Sequence, residues 1–163
     1  MRRLLFLAAV GGIALGGALL VAPEMVEAHE TRVIGDGKYQ IVVGFMNEPV
    51  FAGDKSGLEF WITEVPTATP AAAEETEGTP VEGLTETLQA EVIFGDQAME
   101  LPLEATFNEP GGYGSVFFPM EPGDYTFRIY GTIGDTEIDE SFTSGPETFS
   151  VVADPAPLQF PKS

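Results

Sequence analysis

Apolar side chains recur at every second position through most of this chain, and that period confines it to a β fold. In KYQIVVGFM, Tyr39, Ile41, Val43 and Phe45 fall on one face, and in GLEFWIT, Leu58, Phe60 and Ile62 do the same. LQAEVIF turns Leu88, Ala90, Val92 and Phe94 inward. AMELPLEATF turns Met99, Leu101, Leu103, Ala105 and Phe107 inward, with Pro102 on the opposite phase. A proline cannot donate to a ladder, so an edge strand or a bulge is expected there. YGSVFFP, DYTFRIYGTI, EIDESFT and ETFSVV supply the remaining strands. GDG, AGDKSG, FGDQ, NEPGG, EPGD, TIGD and TSGP separate the runs as turns. The expected fold is all-β: an immunoglobulin-like antiparallel β-sandwich of seven to eight strands over residues 29–153.

Local motifs refine this. Glu121-Pro122-Gly123-Asp124-Tyr125 predicts a tyrosine corner, in which the Tyr125 hydroxyl bonds back to the preceding backbone while Phe127, Ile129 and Ile133 follow its inward phase. FMNEP at 45–49 and TFNEP at 106–110 each follow a strand and are expected to close it as turns. The Pro, Thr, Ala and Glu-rich stretch 65–83 has almost nothing to bury and is expected as a disordered loop. Residues 154–163 read as an extended tail whose Leu158 and Phe160 could dock on the body.

The N-terminus reads as an address. Arg2 and Arg3 precede an uncharged apolar run at 4–22, and Val26-Glu27-Ala28 then satisfies signal peptidase, which puts His29 first in the mature chain. The run is also long enough to remain as an uncleaved anchor, and either outcome places the remainder outside the cytoplasm. Removing residues 1–28 takes two basic and two acidic residues, so the mature chain keeps the net charge of −19. Such a surface repels phosphate backbones and anionic lipid, which excludes nucleic acid and an anionic membrane surface as partners. An unidentified protein or membrane protein remains, with Trp61 and Tyr130, both opposite the inward phase, as contacts.

The chain has no cysteine, which removes disulfides, thiolate metal sites and thiol nucleophiles. Its one histidine, His29, lies at the expected N-terminus with no nucleophile-elbow sequence to serve, and no phosphate-binding glycine loop is present, so no enzymatic activity is expected. Asp135, Glu137 and Asp139 alternate in GDTEIDE but lack the spacing of a calcium loop, so they read as a solvated strand face. His29 is different. As a free N-terminal residue it offers its α-amine and imidazole Nδ1 to one ion in a single chelate ring, a donor set suited to copper(II).

A histidine following the cleavage site and then a sandwich of this length resemble the periplasmic copper-resistance (CopC-like) proteins. PVEGL at 80–84 and PGDYTFRIYG are similar to extracytoplasmic YtkA-like domains. The resemblance implies copper handling, with His29 as the residue that matches the CopC-like site. That pattern includes a second histidine, which this chain lacks, so further ligands would come from carboxylates or methionines. Met99 takes the phase of the core, whereas Met46 and Met120 lie near strand ends and are the candidate soft ligands for copper(I).

Overall fold

The computed structural model describes residues 29–66 and 78–162, so the expected signal segment lies outside the described residues. The chain forms an all-β sandwich of two antiparallel sheets. In chain order the strands are β1 (His29–Ile34), β2 (Tyr39–Phe45), β3 (Ser56–Glu64), β4 (Thr79–Pro80), β5 (Leu88–Phe94), β6 (Gln97–Leu101), β7 (Glu104–Ala105), β8 (Gly112–Phe117), β9 (Thr126–Ile133) and β10 (Thr136–Thr143). Eight are of five residues or more, and β4 and β7 are two-residue pieces. One sheet runs β1-β2-β3-β8-β7 with β4 beside β3, and the other runs β10-β9-β5-β6.

The two inner faces are the residues that alternation selects. Ile41, Val43, Leu58, Phe60, Ile62, Phe127 and Ile129 are completely buried. Phe45 sits at the centre, 5.1 Å from Phe127, 5.7 Å from Phe149 and 6.2 Å from Tyr125 between ring centroids. The tyrosine corner is present: the Tyr125 hydroxyl donates to the Glu121 carbonyl at 3.0 Å, and the Glu121 amide approaches the same oxygen at 3.3 Å. Removing this hydroxyl strands both backbone groups. Tyr125→Phe is therefore expected to cost about 1–3 kcal/mol, read as a lower urea midpoint at unchanged m-value. A cost under a few tenths would mean that water replaces the hydroxyl freely.

Two readings of the sequence need correction. The run from Met99 to Phe107 is two strands and not one. At Pro102 the chain leaves the four-stranded sheet at β6 and crosses to the other sheet at β7. The inward phase carries across the crossing, since Leu101 is buried and Leu103 packs on the core, but the ends of the run are left uncovered: Met99, on the edge strand β6, is 50% exposed and Phe107 86%. ETFSVV forms no strand. It crosses one end of the sandwich with single bridges, Gly123 to Val152 and Phe51 to Ala153, and inserts Phe149 and Val152 into the core.

One strand, β1, carries no hydrophobic alternation and is not among those the alternation predicts. Its inward positions include Glu30 and Arg32, a device that discourages edge-to-edge pairing. Arg32 pairs with Glu30, reaches Glu140 of β10 at 3.0 Å and stacks 4.2 Å over the Phe142 ring. Of the stretch 65–83, the residues that flank 67–77 belong to the body. Val65 and Val81 donate backbone bonds to Lys38 and Ile62, and residues 67–77 lie outside the described residues. In the tail, Leu158 and Phe160 stay exposed.

Candidate functional site

His29 opens β1 on the outer face of the larger sheet. Its register partner in β2 is Gly44, and the partner of Gly44 in β3 is Glu59. Strands two apart lie about 9–10 Å from each other. Because Gly44 has no side chain, the imidazole can span that gap over bare backbone. His29 Nε2 lies 3.0 Å from Glu59 Oε1, with both side chains partly buried. A carboxylate only accepts, so this hydrogen bond needs the proton on Nε2, and in that tautomer the Nδ1 lone pair is left for another partner.

Trp61, the next outward residue of β3, meets the His29 ring edge-on, with centroids 5.4 Å apart and planes at 73°. Its indole N–H donates to Glu109 Oε2 at 3.0 Å. That bond ties the second NEP turn to the sheet. The first is tied differently: Glu48 accepts from the amide and the hydroxyl of Ser150. Both motifs thus close strands, and each glutamate fastens its turn to another part of the body.

Met46 follows β2 on the same outer face. Its thioether lies across Gly57 and Gly114: a Cβ at Gly57 would stand 2.7 Å from Sδ, and one at Gly114 2.7 Å from Cε. Gly114 is the register partner of Glu59, so Met46 lies on the outer face next to the strand position of Glu59. Met120 is elsewhere. It is 68% exposed and borders a depression with Phe94, Met99 and Phe118 that neither His29 nor Met46 lines. Of the three sequence candidates, the fold brings His29 and Met46 to one face and leaves Met120 apart. No group of three or more histidine or carboxylate side chains able to hold a metal occurs among the described residues.

The alternating acids of GDTEIDE do not form a set. Asp135 lies in the turn before β10, and Asp139 makes a two-pronged pair with Arg128 at 2.7 and 2.9 Å. Arg128 also reaches Glu91 at 3.0 Å and covers the Tyr130 ring at 4.7 Å. The hydrogen bond from Arg128 holds the Asp139 carboxyl below its ordinary value. Tyr130 is therefore occupied on its outer side by a cation of its own sheet.

Sequence reasoning missed Glu59 and Glu109. Both are 30 or more residues from their partners in the chain, and only the strand register brings them together. No protein-family model matches the chain, and no curated protein or solved structure matches it.

Proposed function

We propose that this chain is a non-enzymatic, extracytoplasmic β-sandwich module that binds copper(II) through the α-amine and Nδ1 of His29, freed by cleavage after Ala28. The observation that carries the reading is the Glu59 carboxylate on Nε2. A carboxylate on the far ring nitrogen orients a metal-bound imidazole and raises its basicity, and losing such a partner typically costs about 10–100-fold in affinity. The nitrogen it leaves free is the one that closes a chelate ring with the amine. The resemblance to CopC-like and YtkA-like domains points the same way.

The test is a copper(II) titration of two preparations beginning at His29, one with its α-amine free and one with it acetylated, followed by electron paramagnetic resonance. The chain with the free amine is expected to bind one equivalent with nitrogen ligation, and the acetylated chain to lose it. Glu59→Gln in the first preparation is expected to weaken binding about 10–100-fold. Equal binding by both N-termini would overturn the proposal. The remaining reading would then be a cell-envelope interaction domain without a metal.

A further inference from the structure

The larger sheet has an incomplete edge. β7 covers β8 only where Glu104 meets Gly114 and Ala105 meets Tyr113. One step beyond, the Thr106 amide donates to the Gly112 carbonyl, which shows that Gly112 and Gly114 turn their backbone groups toward β7. By strand alternation Val116 faces the same side. Its would-be neighbour is the Pro102 region, where the chain has already left for the other sheet, and no backbone bond from that side continues past Gly114 among the described residues.

Apolar side chains gather beside this open backbone. Val116 is 50% exposed, Phe118 55%, Met99 50% and Met120 68%. Phe118, Met99 and Met120 share one depression with Phe94, which reaches from β8 across to the β5–β6 hairpin. A second depression along the same edge is bordered by Pro102, Glu104 and Ser115, and the Ser115 hydroxyl is buried without a partner. The charged residue bordering each depression is a glutamate, Glu121 in the first and Glu104 in the second.

We infer that the β8 edge accepts an extended segment of a partner protein by strand addition. The segment would carry apolar residues at alternate positions, with lysine or arginine between them. Backbone bonds to Val116 would supply affinity, and the Phe94–Met99–Phe118 depression would receive an alternate side chain, the division of labour usual for strand addition. Charge decides the occupant. A second copy would bring another −19 to an edge bordered by glutamates, whereas a basic strand is drawn there.

The probe is a synthetic ten-residue peptide alternating valine with lysine, with one central phenylalanine, titrated into the 15N-labelled domain starting at His29. Amide shifts are expected to concentrate at Ser115–Phe118 and Ala98–Met99, with slowed hydrogen exchange at Val116. Methylating two backbone nitrogens on the pairing side of the peptide should weaken binding about tenfold or more. Phe118→Ser should weaken it similarly, while Thr132→Ser, exposed on the other sheet, leaves it unchanged. Shifts spread over the Arg128 face, or equal binding of the methylated peptide, would overturn the inference. So would equal binding of a peptide with glutamate for lysine, or shifts that follow protein concentration alone and mark a second copy.

Discussion

Phe45→Ala is expected to destabilise the domain by about 3–5 kcal/mol. The ring is 1% exposed and touches aromatic side chains from three regions: Phe117 of its own sheet, Tyr125 and Phe127 at the start of β9, and Phe149 of the closing C-terminal segment. Truncation removes the transfer energy of a whole ring. It also opens a cavity that neither sheet can close without breaking its own ladder, because both inner faces meet at this point. Domains of this size are stable by about 5–15 kcal/mol in all, so the variant would lose a large fraction of its margin. Phe45→Leu, which keeps most of the volume, is expected to cost about 1–2 kcal/mol. Urea unfolding followed by tryptophan fluorescence measures both. Equal losses for alanine and leucine would mean that the aromatic edge contacts, and not the filled volume, hold the centre together.

Gly131→Ala is the second large effect, and it arises from backbone geometry. Gly131 lies in β9, a strand paired on both sides, opposite Leu88 of β5 and Ile138 of β10. Its φ is +131°, and a Cβ there would stand 2.1 Å from the Thr87 carbonyl oxygen, which accepts a bond from the Thr132 amide. A methyl group must either push β5 away or force the backbone back to negative φ, and both options break ladder bonds in the middle of a sheet. Strain and overpacking together are expected to cost about 2–6 kcal/mol. Gly134→Ala is the control. Its φ is +58° with nothing near the added carbon, so it carries the conformational cost alone, about 1–2 kcal/mol. Matching losses at the two sites would show that the clash at Gly131 relaxes at no cost.

The features that were legible in the sequence are those fixed by neighbours in the chain. Alternation in GLEFWIT and in the strand after Tyr125 predicts the buried faces, and EPGDY predicts the corner, because each depends on spacings of a few residues. Three features depend on distant parts instead. Pro102 looks like a flaw in one strand but marks the passage between sheets. The Phe149 segment alternates like a strand yet meets no open ladder, and β1 hides its strand character behind Glu30 and Arg32. The site divides in the same way. His29 stands out by position, whereas Glu59 becomes its partner only through two successive registers across Gly44, which no short-range pattern records.

The pairing of His29 with Gly44 has a thermodynamic consequence. First residues of chains usually fray, and a ligand that uses one must restrain a loose backbone and a rotating ring. Here the backbone is held in a ladder, and the ring is held by Glu59 on one nitrogen and Trp61 on one edge. The proposed chelate would therefore form on a residue that has already surrendered its freedom, and association would be free of most of the ordering penalty. Calorimetry should then find a smaller entropic loss for this domain than for a free peptide with the same first three residues.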